Sequence, residues 1–115
     1  MAETLLYQGV AVNPENGLRL RLGHNVETLA GSKTLLPQDA QVQLLDPDSV
    51  ERTITLPAEE ASQGLFFFIR NSGSTNDLKI ENDAAGAIMD IAKKQYSLLV
   101  CDGSSWTNLG IVEVA

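Results

Sequence analysis

The single histidine and the single cysteine are the residues of this chain best suited to nucleophilic chemistry. A Ser-His-Asp or Cys-His arrangement would have to use His24, with Cys101 or a serine as the nucleophile. Nothing in the sequence brings such groups together. His24 beside Asn25 is typical of a solvated loop, and Cys101, at the end of an apolar run, is typical of a small buried residue. We therefore predict no catalytic residue and a protein that is not an enzyme.

Carboxylates could act as acids or bases or bind a metal, and the chain has 15 of them. With so many, a pair such as Glu59-Glu60 is not a specific signal and is most simply solvated. The stretch 46–49, Asp-Pro-Asp-Ser, could offer oxygens to calcium, but it lacks the glycine and the later glutamate of a known calcium loop. One cysteine also excludes an intramolecular disulfide and a cysteine-based zinc site. The sequence predicts neither a metal nor a cofactor.

The net charge of −7 limits the class of partner. Residues 1–35 are electrically balanced, whereas residues 36–115 hold five basic and twelve acidic residues. A field of that sign repels phosphate backbones. The first residues lack the pattern of a secretory signal, and no apolar run approaches the roughly 18 residues of a membrane span. We expect a protein that is made in a reducing cytoplasm and binds neither nucleic acid nor membrane.

Short apolar runs alternate with turn-forming residues from Val42 onward, at intervals of about 10 residues, the spacing of a sandwich or barrel. Seven strands are predicted, at 42–45, 52–56, 65–71, 77–82, 86–91, 96–101 and 105–113. Residues 57–64 are predicted to be a turn between strands, with a single helical turn at 58–61 as the alternative. The predicted fold class is all-β, an antiparallel β-sandwich.

Aliphatic residues at two-residue spacing assign one buried face to these strands. The predicted core residues are Ile54 and Leu56, Leu78 and Ile80, Leu98 and Val100, and Leu109 and Ile111. The run from Leu65 to Ile69 is apolar at every position. It indicates either a central strand covered on both sides or a strand whose second face meets another subunit.

The first 38 residues are predicted to form an extended arm, separate from a β-sandwich body at 39–115. Asn16-Gly17 lies between the runs 9–12 and 18–22, a pattern typical of a β-hairpin. Residues 23–41 are predicted to be a long polar connection, and loops of that length are usually functional or ordered by a partner. No internal repeat is apparent.

Two arginines alternate with leucines in the arm, so Arg19 and Arg21 should project from one face of a strand while the leucines pack below. One interpretation is a solvated edge strand protected by charge. The alternative is a surface that docks onto an acidic partner. The candidate interface residues, in the arm and the body, are Leu18, Arg19, Leu20, Arg21, Phe66, Phe68 and Trp106.

The order of motifs in the body resembles that of small virion modules of tailed bacteriophages. The matching features are Thr-Leu-Pro at 55–57, an apolar strand that ends in Arg70-Asn71, and Asp-Gly-Ser-Ser-Trp at 102–106. The likeness covers about residues 33–110. It is to head decoration proteins, also called capsid cement proteins, and to the related modules of head and tail fibres.

This resemblance implies a jelly-roll sandwich that forms a small homo-oligomer, most often a trimer and otherwise a dimer. It implies a position in the virion on the outer surface of the capsid, with the major capsid protein as the partner. There the protein would tie neighbouring capsid subunits together. The alternative is a receptor- or glycan-binding module of a tail fibre or baseplate. A hydrolase on a jelly-roll scaffold is disfavoured because it would need a converging histidine or metal cluster.

Overall fold

The computed structural model describes residues 4–7, 10–13, 15 and 17–113. Within these ranges the chain forms strands and one short 3-10 helix at Glu59–Ala61, which corresponds to the alternative of a helical turn at 58–61. The strands are β1 (Thr4–Tyr7), β2 (Val10–Asn13), β3 (Gly17–Leu20), β4 (His24–Thr28), β5 (Lys33–Thr34), β6 (Val42–Asp46), β7 (Arg52–Thr55), β8 (Phe66–Asn71), β9 (Leu78–Glu81), β10 (Ala87–Ile91), β11 (Gln95–Cys101) and β12 (Trp106–Glu113). The prediction of an all-β fold is confirmed.

Two sheets pack against each other and enclose the core. One has five strands in the order β12-β11-β8-β6-β4, and the other has four in the order β10-β9-β7-β5. The buried apolar side chains are Leu29, Leu35, Leu45, Ile54, Leu56, Phe67, Ile69, Leu78, Ile80, Ile91, Leu99, Cys101 and Trp106. This arrangement is the predicted sandwich.

Both sheets are mixed, which departs from the purely antiparallel pairing that was predicted. The strands β4, β6 and β8 are parallel neighbours in one sheet, and β5, β7 and β9 are parallel neighbours in the other. Successive strands from β4 to β9 therefore alternate between the sheets, and each lies beside the strand two places earlier. The result is three turns of a flattened parallel solenoid. Antiparallel pairing then adds β10 to one sheet and β11 and β12 to the other.

The solenoid contains an internal repeat that the sequence analysis missed. Thr34-Leu35 in the first turn stacks on Thr55-Leu56 in the second, with Thr34 opposite Thr55 in the parallel ladder. The Leu35 amide donates to the Thr55 carbonyl, and the Leu56 amide donates to the Glu81 carbonyl, both at 2.8 Å. Both leucines are buried. The repeat is hard to see in the sequence because the turns between strands differ in length.

The body begins earlier than residue 39, since β4 and β5 lie within the predicted arm yet belong to the two sheets. The segment 23–41 is therefore not a featureless connection. Its strands were missed because their inward positions are polar. Asn25, Glu27 and Lys33 occupy the positions that Gln43, Leu45 and Ile54 occupy one turn later.

The predicted hairpin in the arm is confirmed, because β2 and β3 pair in an antiparallel register that joins Asn13 to Gly17. Gly17 has φ of +80°, which favours glycine. The strand β1 adds to β2, and the three strands form a sheet of their own, here called the arm sheet.

The predicted core is right for β7 and β9 and wrong for β11. Ile54, Leu56, Leu78 and Ile80 are buried. In β11 the buried residues are Ser97, Leu99 and Cys101, so Leu98 and Val100 point outward. Leu98 to Val100 is apolar throughout, and hydropathy alone did not fix which side faces inward. Leu109 is exposed, at a bulge opposite Leu98, and the side chain of Ile111 lies outside the described residues.

Candidate interaction surface

The five-stranded sheet is apolar on both sides. Along β8, Phe67 and Ile69 are fully buried in the core, whereas Phe66 and Phe68 are half-buried on the opposite side. The same alternation places Val42 and Leu44 of β6 outside. The residues that form this outer face on the three central strands are Val42, Leu44, Asp46, Phe66, Phe68, Arg70, Tyr96, Leu98 and Val100.

Strand register arranges these side chains in rows across the sheet. One row contains Val42, Phe68 and Leu98, and the next contains Leu44, Arg70 and Tyr96. The rings of Phe68 and Tyr96 contact each other, with centroids 4.8 Å apart. At the two edges of the sheet, Val26 is 68% exposed and Leu109 is 63% exposed. The outer face is thus a continuous apolar surface that no other described strand covers.

The outer side of the four-stranded sheet differs in kind. Its central strands present threonines at 53 and 55 and the charged residues Lys79 and Glu81. The Nζ of Lys79 lies 3.8 Å from Oε2 of Glu81. Asp90 is exposed on the neighbouring β10. This side is suited to water, so only one of the two sheets presents a surface for an apolar partner.

Arg70 is the one basic residue of the outer face on the three central strands, and Asp46, at the end of β6, is the one acidic residue. The Nε of Arg70 is buried without a hydrogen-bond partner. No described carboxylate forms an ion pair with Arg70. A guanidinium in that state has unused hydrogen-bonding capacity toward a partner.

The arm residues chosen as interface candidates are described only in part. Leu20 is 61% exposed and Leu22 is 42% exposed. Arg21 is also exposed, whereas the side chains of Leu18 and Arg19 lie outside the description. The leucines were expected to pack below the arginines, and for Leu20 and Leu22 this is wrong. The reason is that the strands β1 to β3 pair with one another and with no strand of the two main sheets.

Trp106, which was chosen as an interface candidate, is instead a core residue. It is 7% exposed, and its Nε1 donates to the Pro57 carbonyl at 2.9 Å. Its ring lies 5.8 Å from that of Phe67. Trp106 therefore joins the Leu-Pro corner to the core and offers little surface to a partner.

The Asp-Gly motif before Trp106 forms the hairpin turn between β11 and β12. The Asp102 carboxylate accepts the amides of Ser104 and Ser105, each at 2.8 Å. These two hydrogen bonds, Ser104 first, hold the pKa of Asp102 below its ordinary value. Gly103 has φ of +95°, which a side chain rarely tolerates.

A polar cleft of about 410 Å³ lies beside this hairpin. Three separate segments form it, around Glu59, around 82–88 and along 104–108. Sequence reasoning missed it because these segments are distant in the chain. The side chains of Glu59, Thr107 and Asn108 have no hydrogen-bond partner within the described part of the chain. The cleft could therefore bind a small polar molecule.

The residues considered for catalysis are not assembled into a site. Cys101 is 1% exposed, and its Sγ lies 3.5 Å from the Glu59 carbonyl. His24 is exposed at the start of β4. Across the described ranges, no three side chains of His, Cys, Asp or Glu are grouped as metal ligands. The same residues contain no helix long and apolar enough to span a bilayer.

The chain was also compared with known proteins. No protein-family model, curated protein or solved structure matches it. A proposal for its function therefore depends on the surfaces described above and on the resemblance of its sequence motifs.

Proposed function

We propose that this protein is a structural virion protein that binds the outer surface of a tailed-phage capsid and ties neighbouring capsid subunits together. The outer face of the five-stranded sheet is the observation that supports a role in assembly. An apolar face on Phe66, Phe68 and their neighbours is costly to leave in water, and a permanent partner would remove that cost.

The motifs behind the resemblance support a rigid body. Pro57 lies at the corner of the second turn, and its carbonyl accepts the Trp106 indole N–H. The hairpin at 102–105 returns the chain as β12. The body thus presents fixed surfaces, which suits a protein that must match a regular lattice.

The mechanism of stabilisation is avidity. A homo-oligomer, a trimer or a dimer, would make several modest contacts with the capsid at once, so dissociation requires the loss of all of them. Symmetric oligomers also suit a symmetric lattice. In this proposal the major capsid protein is the partner of the arm, where Arg21 and Leu20 are exposed.

The first test asks where the protein is found. An antibody against the chain should label the heads of intact particles of the phage that encodes it, at many copies per particle. Label confined to the tail would favour a fibre or baseplate module. Absence from purified particles would refute a structural role in the virion.

The second test concerns the contact with the capsid. Reversing Arg19 and Arg21 together to Glu should greatly weaken binding to undecorated capsids, because each copy of the oligomer would replace attraction by repulsion. Exposed ion pairs contribute only about 0–1 kcal/mol each, so the melting temperature should hardly change. Added salt should weaken native binding, since exposed charges are screened over about 8–10 Å. A double variant that binds as tightly as the native protein would exclude these arginines.

The polar cleft favours a second candidate, a glycan-binding module of a tail fibre or baseplate. Amides, hydroxyls and the single carboxylate of Glu59, beside the apolar Ile88, are suited to a neutral sugar. A glycan array would test this, with Asn108→Ala as the variant and Thr53→Ala, on the other side of the same body, as the control. Binding that Asn108→Ala does not reduce would place the ligand elsewhere.

A further inference from the structure

We infer that the assembly surface proposed above is covered by the outer face of a second copy of this chain. The alternative partner is the capsid. A second copy and the capsid require different properties of the outer face. An interface between two copies must avoid repulsion between their acidic residues, and its face must be complementary to itself.

Charge is the first argument for a second copy. The chain has a net charge of −7, so two copies repel each other wherever their acidic surfaces meet. On the three central strands, the outer face carries one acidic residue, Asp46 at the end of β6, and one basic residue, Arg70, so its charges balance. Most of the acidic residues lie in turns and in the four-stranded sheet. The outer face is therefore where copies can approach with the least repulsion.

Area is the second argument. Five strands about 4.8 Å apart, each contributing about five residues at 3.3 Å, make a face of about 400 Å² in projection. A stable interface buries about 800 Å² of accessible surface per partner, which is more than this face alone provides. Leu22 is exposed just before β4, and Leu20 is exposed two residues earlier. Contact through Leu22 of each copy would extend the interface toward the area that a stable association needs, while Leu20 and Arg21 stay available to the capsid.

Hydrogen bonding is the third argument. Within the described part of the chain, Arg70 has no hydrogen-bond or ion-pair partner. Asp46 lies outward at the end of β6, next to the row that contains Arg70. In a face-to-face pair, the guanidinium of Arg70 in each copy can approach Asp46 of the other copy. A twofold axis between the copies repeats that contact, so the pair has two of them.

The test measures self-association without capsids. We would measure mass by light scattering and sedimentation over a concentration series into the high-micromolar range, for native protein, Phe68→Glu and Thr53→Glu. Phe68 is in the middle of the outer face, and Thr53 is the matched control on the polar sheet. The native protein and Thr53→Glu should associate, and Phe68→Glu should do so at least about 30-fold more weakly, the loss expected at the centre of an interface.

A folded variant is required for this comparison. The near-ultraviolet circular dichroism of the buried Trp106 should be unchanged in Phe68→Glu, whereas the Tyr96 signal should change because its ring contacts Phe68. If the Trp106 signal changes, Leu98→Lys, on the neighbouring strand, replaces this variant. A native protein that is monomeric at every concentration would overturn the inference. So would association that neither outer-face variant weakens.

Capsid binding, measured in parallel, separates this inference from the proposed function. If the native protein is monomeric and Phe68→Glu loses capsid binding, the capsid covers the face. The inference then fails and the proposed function holds. If the native protein associates through the face but binds no capsid, the proposed function fails and the inference holds.

Discussion

Asn71 shows how a single buried amide holds the third turn of the solenoid in place. Its Nδ2 donates to the carbonyls of Asn76 and Ile91 at 2.7 and 2.9 Å, and its Oδ1 accepts the Gly73 amide at 2.9 Å. The side chain thereby ties the turn after β8 to the end of β10. Since Asn71 is fully buried, water would not replace these bonds.

Replacing Asn71 by Leu should lower the free energy of unfolding by roughly 3 kcal/mol or more. Three backbone groups would lose their partner, and each buried unsatisfied group costs about 1–3 kcal/mol. Urea unfolding would measure the change. Asn108→Leu, at an exposed position, is the control and should change stability by less than about 0.5 kcal/mol. Equal effects of the two substitutions would contradict this role for Asn71.

Glu27 gives the first turn a small dependence on pH. Its Oε1 accepts Asn25 Nδ2 at 3.0 Å and lies 3.1 Å from Lys33 Nζ. The hydrogen bond from Asn25, and then the contacts with Lys33, hold the pKa of Glu27 below its ordinary value of 4.5. A depressed pKa contributes stability above the ordinary value, and that contribution is lost as the pH falls through the lower folded pKa.

Glu27→Gln should therefore destabilise the protein slightly near neutral pH and not at all in stronger acid. The side chain is partly exposed, so the difference should be within about 0–1 kcal/mol. Unfolding free energies of native protein and variant, measured from pH 7 downward, should converge below 4.5. A difference that grows on acidification would mean that the carboxylate is not stabilised as described.

At the scale of elements, the first turn acts as a polar cap on the solenoid. A parallel solenoid leaves its end strands unpaired, and unpaired edges invite stacking of further chains. Here the inward positions of the end strands are Asn25, Glu27 and Lys33 instead of aliphatic residues. The ion pair between β4 and β5 closes the end of the core. A second solenoid would have to bury these charges in order to stack there.

Replacing Glu27 and Lys33 together by Leu should remove that barrier. In a Phe68→Glu background, which blocks the outer face, the double variant should form end-to-end chains that sedimentation and electron microscopy detect. The matched control replaces Lys79 and Glu81 together by Leu. These two residues also form an ion pair, but they do not lie at an end of the solenoid. If the control associates equally, added hydrophobicity and not the loss of the cap is responsible.

The strands from β6 onward were predictable because their aliphatic residues recur at a period of two or in unbroken apolar runs. The strands β4 and β5 were missed because their inward positions are polar, as suits a cap. A period of two in apolar residues, the signal used to predict strands, is therefore absent there. Parallel pairing was missed too, because turn residues such as those at 46–49 mark a change of direction without specifying which sheet receives the next strand. The outer face was anticipated from Leu65 to Ile69, whereas the cleft depends on loop positions that no local pattern encodes.

At the scale of the whole molecule, the described strands of the arm sheet pair with neither of the two main sheets. Every residue of the described core lies between Leu29 and Trp106. The hydrogen bond from the Val42 amide to the Gly23 carbonyl marks where the body begins. A three-stranded sheet alone is at the lower limit of independent stability, which suits a segment that is completed by a partner.

Deleting residues 1–22 should leave a cooperatively folded body that binds capsids more weakly. Every described core residue and the Gly23 carbonyl are retained, so the unfolding transition by circular dichroism should persist. A capsid pull-down should show the loss of binding, with full-length protein as the control. Loss of the cooperative transition would show that the arm is part of the folding unit.

The stacked turns at Thr34-Leu35 and Thr55-Leu56 make the length of the body adjustable. Each turn accepts backbone hydrogen bonds on one side and offers the same pattern on the other, so a further turn inserted between the first and second would meet matching edges. Each insertion would lengthen the body by about 4.8 Å, the spacing of neighbouring strands, while the cap at one end and β10 to β12 at the other stayed unchanged. A protein built in this way can change its reach by duplication of a segment, without redesign of either end.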